Sequence, residues 1–186
     1  MICFDGTCNH PKDAKQEREW FGSGAIEDNG ITNILKLHVL FGGCLDNAPN
    51  LNHQHSLYYS GVGTYGNRLQ QMFNAGFAPA SQDVGDIINT AGSDLNRIYQ
   101  PDDKLFIFGF SRGAAIARRF ASVLTNYISL TQKHPIRFLG AFDTVASMGV
   151  PNLKDTNKPI SDVIFENGTI SPFIEEALHL VAVDEN

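Results

Sequence analysis

Nowhere does this 186-residue sequence hold an apolar run near the roughly 20 residues needed to span a bilayer. Its N-terminus also lacks the charged-then-apolar pattern of a secretory signal. The expectation is a protein made in the cytoplasm without a signal peptide, meeting any lipid from the aqueous side. Cysteine is scarce: Cys3, Cys8 and Cys44 are odd in number and lack CxxC spacing, which argues against a disulfide framework and against a zinc site. Positive charge is in short supply too. With 14 Lys and Arg against 20 Asp and Glu the formal charge is −6, so phosphate backbones feel no general attraction and nucleic acid is not an expected partner. Internal repeats, low-complexity tracts and shifts of composition are absent, so one domain over 1–186 is the simplest organisation.

What is present points to alternating strands and helices. Four short runs are continuously apolar, namely Ile2–Phe4, 56–59, 105–108 and 138–142, as strands covered on both faces of a parallel sheet should be. Between them, Thr32 or Asn33 caps a helix running to Leu40 and ended by Gly42-Gly43. A second helix over 82–99 places Val84, Ile87, Ile88, Ala91, Leu95 and Ile98 near one face, and a third covers 112–127. The spacing of Phe173, Ile174, Ala177, Leu178 and Val181 predicts a fourth over 172–183. Segments 10–30, 42–55 and 149–172 read as loops over the active edge. The pattern predicts an α/β fold with a mostly parallel sheet flanked by helices. The abrupt C-terminal end, Val183-Asp184-Glu185-Asn186, is compatible with truncation of something longer.

The chemistry centres on Gly109-Phe110-Ser111-Arg112-Gly113, which follows an apolar strand and precedes an alanine-rich helix. That is the setting of a nucleophile elbow, whose tight turn demands small residues two before and two after the serine, here Gly109 and Gly113. A helix N-terminus also favours negative charge developing at Ser111. A serine hydroxyl needs a base, and the base needs a carboxylate to orient it, in the chain order Ser, acid, His. Only His134 and His179 lie downstream. His134 precedes Pro135 at the N-terminal end of a strand, so His179 is the candidate base. Asp143 follows a strand directly, at the sheet edge where ligands bind, and is the candidate acid over Asp155, Asp162, Asp184 and Glu185. For the oxyanion hole, the Arg112 amide is one donor and that of Gly6 or Thr7, after the first strand, the other. Asp5 is a supporting residue, placed to hydrogen-bond across to the elbow or to pair with Arg112.

Two other motifs compete. Gly61-Val62-Gly63-Thr64-Tyr65-Gly66 matches GxGxxG after a strand, but no strand ending in an acidic residue follows about 20 residues later, because Asp83 and Asp86 fall in a helical pattern. Phe4-Asp5-Gly6-Thr7 is like a phosphatase motif in which two aspartates precede Gly-Thr, yet Cys3 stands where the nucleophilic aspartate belongs.

Taken together, Cys3-Phe4-Asp5-Gly6-Thr7, Tyr59-Ser60-Gly61-Val62-Gly63-Thr64, Gly109-Phe110-Ser111-Arg112-Gly113-Ala114, Phe142-Asp143-Thr144-Val145 and His179-Leu180-Val181-Ala182-Val183-Asp184-Glu185 resemble the DUF2235 group of α/β-hydrolase-like proteins. That group includes the Tle1-like phospholipase effectors of type VI secretion. The resemblance implies a serine esterase or phospholipase with a Ser111, Asp143, His179 triad and no metal or cofactor. It further implies an exported effector acting at a target-cell membrane or periplasm, with a phospholipid or other acyl ester as substrate and a secretion-apparatus or immunity protein as partner. Cys8 departs from the tryptophan usual after the DGT motif, and family members commonly continue past the histidine motif into a further region. Two further expectations stay open beside this one: a general carboxylesterase, and a non-catalytic domain that binds lipid or a partner.

Overall fold

The computed structural model describes residues 1–6, 15–18, 26–29, 31–44, 47, 54–61, 80–144 and 169–182. In chain order they form β1 (Ile2–Phe4), β2 (Lys15–Arg18), β3 (Ile26–Asn29), α1 (Asn33–Leu40), β4 (Leu57–Tyr59), α2 (Ala80–Ile98), β5 (Leu105–Phe110), α3 (Arg112–Ser122), a 3-10 turn (Leu124–Asn126), β6 (Ile136–Phe142) and β7 (Ile174–Leu180). Five strands make one sheet in the order β4-β1-β5-β6-β7, every neighbouring pair parallel, while β2 and β3 pair antiparallel with each other. This is an α/β fold.

Alternation along the strands sorts the core into two layers. Ile2, Phe4, Leu57, Tyr59, Leu105 and Ile107 pack with Val84, Ile87, Ala91 and Leu95 of α2 and with Ala115, Ile116 and Phe120 of α3. Cys3 and Tyr58, pointing the other way, pack with Ile34 and Leu35 of α1. Burying a side chain the size of Phe120 or Ile116 stabilises by about 2–3 kcal/mol, and both are almost fully enclosed. Of the two N-caps expected for α1, Thr32 or Asn33, the cap is Thr32, whose Oγ1 accepts from the Leu35 N–H at 3.1 Å.

The helix expected over 172–183 is not one. Residues Ile174–Leu180 form β7, in unbroken register with β6 from Ile136↔Ile174 to Phe142↔Leu180. Apolar spacing in so short a segment suits either structure, and local preference is a weak prior that tertiary context overrides. The unfilled hydrogen-bonding edge of β6 is that context. Among the described residues β7 is the outermost strand on this side, and most of it is exposed, Leu180 to 49%. Among the described residues it is the most exposed strand of the sheet, which suits its Glu175, Glu176 and His179.

Candidate active site

Ser111 joins β5 to α3 with φ 54° and ψ −123°, a left-handed conformation that a residue with a Cβ adopts only at a cost of about 1–3 kcal/mol. The glycines on either side make the turn possible. A Cβ on Gly109 would lie 2.4 Å from the Gly113 carbonyl oxygen and 2.6 Å from Ala114 Cα, and one on Gly113 would lie 2.4 Å from the carbonyl oxygens of both Phe4 and Asp5. The turn is anchored to the next strand by the Ser111 N–H, which donates to the Phe142 carbonyl at 2.9 Å, and the Ala114 N–H returns to the Ser111 carbonyl at 3.1 Å. Arg112 opens α3, which places its amide at the helix N-terminus directly after Ser111.

Asp143 ends β6 beside this turn and is itself at positive φ, 48°. Its N–H donates to the Leu180 carbonyl at 2.6 Å, and its Oδ1 accepts from the Ala182 N–H at 3.3 Å. Two non-glycine residues in left-handed conformations therefore sit at neighbouring strand ends, where backbone strain commonly marks a working site.

The structure places His179 on β7 opposite Ala141, which is itself opposite Gly109, so the three share a row across the sheet on the α3 side. At a strand spacing of about 4.8 Å, His179 stands about 10 Å across the sheet from Gly109. Its side chain is exposed, and among the described residues no hydrogen bond joins it to Ser111 or Asp143. The structure thus brings Ser111 and Asp143 together and puts His179 on the adjoining edge strand with its ring in solvent. His134 lies at the other end of β6, its Nδ1 3.0 Å from the Pro172 carbonyl oxygen.

Asp5 is buried, and its partners differ from those expected. Oδ1 accepts from the Gly6 N–H at 2.7 Å, and Oδ2 accepts from the hydroxyls of Thr32 at 2.5 Å and Tyr58 at 2.6 Å. The pairing with Arg112 is not made, because three neutral donors already satisfy the carboxylate. The Gly6 amide, one of the two candidates for the second oxyanion donor, is engaged on Asp5. Thr7, the other, lies outside the described residues, as do positions 62–66 of the GxGxxG match. Cys3, at the nucleophile position of the phosphatase-like motif, is buried in β1 with its thiol pushed up to about 12 by desolvation, which removes it as a thiolate nucleophile. Tyr58 and Thr32 were not singled out from sequence as site residues; the signal available was the N-cap at Thr32 and a tyrosine on the α1-facing side of a strand.

An α/β sheet with a strained serine between two obligatory glycines, at a strand-to-helix turn on its C-terminal edge, defines the class of this chain. The family follows from comparison with known proteins. The family model described as T6SS phospholipase effector Tle1-like, catalytic domain, matches residues 1–134 and 127–186, and the chain belongs to that family. It is similar to the uncharacterized protein YEL023C of Saccharomyces cerevisiae (strain ATCC 204508 / S288c), 31% identical over 137 residues, which cover 67% of this chain and 17% of the yeast protein. The chain therefore spans well under a quarter of that relative's length. No solved structure matches it. No helix among the described residues is long and apolar enough to cross a membrane.

Proposed function

We propose that this chain is a serine hydrolase that cleaves carboxylic ester bonds of phospholipids through an acyl-enzyme. The observation that carries the reading is Ser111 itself, held at positive φ between two glycines that have no room for a Cβ, at the head of a helix, in a family named for phospholipase effectors. In this reading His179 takes the Ser111 Oγ proton as that oxygen attacks the acyl carbonyl, and Asp143 orients the imidazole. The Arg112 amide and, since the Gly6 N–H is held by Asp5, the amide of Thr7 meet the negative charge on the carbonyl oxygen. The acyl C–O bond then breaks, the proton passes from His179 to the departing alcohol, and a water deprotonated by the same histidine releases the fatty acid and regenerates Ser111. The exposed His179 ring has the freedom to reach Ser111 when substrate is bound, since catalytic hydrogen bonds often tighten only in the complex.

The same proposal takes 1–186 as a single catalytic domain. It includes export of the protein as an effector to a target-cell membrane or periplasm, with a secretion apparatus or an immunity protein as partner, supported by the family description alone. The test is incubation of the wild type and Ser111→Ala with mixed phospholipids, followed by mass spectrometry of the products. Fatty acid and lysolipid are expected from the wild type only. Failure of a fluorophosphonate to label Ser111 in folded protein would sink the reading, turnover of short acyl esters without phospholipid cleavage would reduce it to a general carboxylesterase, and full activity in His179→Ala would move the base elsewhere. A second reading, a non-catalytic domain that binds lipid or a partner, is favoured by the exposed His179 ring, which among the described residues bonds neither Ser111 nor Asp143. It predicts no ester turnover and binding that Ser111→Ala leaves unchanged.

A further inference from the structure

The strand before the elbow strand in the sheet, β1, ends on a carboxylate held by residues that no triad contains. Asp5 is enclosed, with 1% of its surface exposed, and its position is set from three directions. Its N–H donates to the Tyr59 carbonyl at 2.9 Å, the Tyr58 hydroxyl reaches Oδ2 at 2.6 Å, and the Thr32 hydroxyl reaches the same oxygen at 2.5 Å. Thr32 Oγ1 at the same time accepts the Leu35 N–H, so the first turn of α1 is registered to Asp5 as well. The remaining oxygen holds the Gly6 N–H at 2.7 Å and turns that amide inward.

What Asp5 holds touches the elbow. The carbonyl oxygens of Phe4 and Asp5 both come within 2.4 Å of where a Gly113 Cβ would stand, which puts the end of β1 against the first turn of α3, two residues past Ser111. A shift of Asp5 therefore moves backbone that lies directly on the helix start carrying the serine.

We infer that Tyr58 and Thr32 are positioning residues for the ester hydrolysis proposed above, acting through Asp5 to fix the end of β1 against the Ser111 turn. The inference rests on that reading of Ser111. Neither residue touches substrate; each restricts where the backbone beside the reacting serine can sit. Rates are sensitive to this, because a displacement near 1 Å at a site can lower the rate on the order of 100-fold. Among the described residues the buried carboxylate is satisfied by neutral donors, so removing one hydroxyl leaves an under-solvated charge that relaxes by moving its own backbone.

The test uses the full chain with p-nitrophenyl butyrate as substrate and a trifluoromethyl ketone as inhibitor, whose serine adduct carries the oxyanion. Tyr58→Phe removes only the hydroxyl, Thr32→Val removes its hydroxyl at constant shape, and Thr32→Ser retains it. All are assayed well below their melting transitions, with folding checked by circular dichroism. Tyr58→Phe and Thr32→Val are each expected to lower kcat about tenfold with KM within about twofold, and to weaken the ketone by the same factor as kcat/KM. Thr32→Ser is expected to recover most of the loss seen in Thr32→Val. Full kcat in both hydroxyl-deleted variants overturns the inference, as does a kcat loss that ketone affinity does not follow, since a merely structural brace would lower the active fraction and leave that affinity alone. If the wild type neither turns over ester nor labels at Ser111 while folded, the underlying reading fails and the inference falls with it.

Discussion

Replacing Ser111 by glycine should make the protein more stable while destroying any activity the serine carries. With φ 54° and ψ −123° at Ser111, the Cβ is held in a conformation costing about 1–3 kcal/mol, which glycine does not pay. Against that gain stands the extra backbone freedom glycine has in the unfolded chain, worth about 0.5–1 kcal/mol. The balance is about 1 kcal/mol in favour of the glycine variant. Ser111→Ala is the necessary reference, because it removes the hydroxyl but retains the Cβ and its strain. At an ordinary N-cap glycine already exceeds alanine by roughly 0.5–1 kcal/mol, and relief of the strain adds to that, so here glycine should exceed alanine by about 2 kcal/mol, equivalent to a Tm higher by about 6 °C in a domain of this size. Urea titration followed by circular dichroism measures the difference as a shift in midpoint at unchanged slope. Equal stability of the two variants, or a less stable glycine variant, refutes the claim that the elbow is strained at Ser111.

The opposite exchange applies two residues further on. Gly113→Ala drives a Cβ to within 2.4 Å of two backbone carbonyl oxygens, which have no rotamer by which to withdraw, and should cost more than about 2 kcal/mol in the same titration; a change under 0.5 kcal/mol would show that β1 can retreat from α3. His38 supplies a pH dependence. Fully buried, it bonds through Nδ1 to Ser56 Oγ at 2.8 Å and through Nε2 to the Cys44 carbonyl at 3.0 Å, and desolvation lowers its pKa below the ordinary 6.5. Above pH 6.5 both the folded and unfolded states carry it neutral and nothing is gained or lost. Below 6.5 the unfolded chain takes the proton first, so stability falls with pH until the folded value is also passed. Urea midpoints at pH 8, 6.5 and 5.5 should show this loss in the wild type and a smaller one in His38→Gln; parallel pH profiles would refute it.

The parts of the fold legible in sequence are those whose signals are local. β1, β4, β5 and β6 announce themselves as apolar runs because most of their side chains pack into the core, and α1 through a cap at Thr32 or Asn33. The elbow was legible for the same reason, since two glycines, a preceding strand and a following helix lie within a few residues of Ser111. β7 was not, because the spacing of Ile174, Ala177, Leu178 and Val181 fits a helix as well as a strand, and the deciding partner is the open edge of β6 some 38 positions earlier. Asp5 was misjudged on the same ground. Its hydroxyl partners are 27 and 53 residues away, and nothing in their spacing ties them to it.

The attachment of β7 has a consequence for how this protein fails. Asp143 and the end of β7 hold each other in both directions, the Asp143 N–H on the Leu180 carbonyl and the Ala182 N–H on Asp143 Oδ1. The strand contributes few buried side chains, so it belongs to the low-stability end of the molecule, where local opening precedes global unfolding. If it peels away, it carries His179 off with it and releases the carboxylate of Asp143 in one event, while the core between the sheet and α2 and α3 stays intact. Heat or denaturant would then dismantle the proposed triad as a switch does, at a lower threshold than the one at which the circular dichroism of the helices is lost.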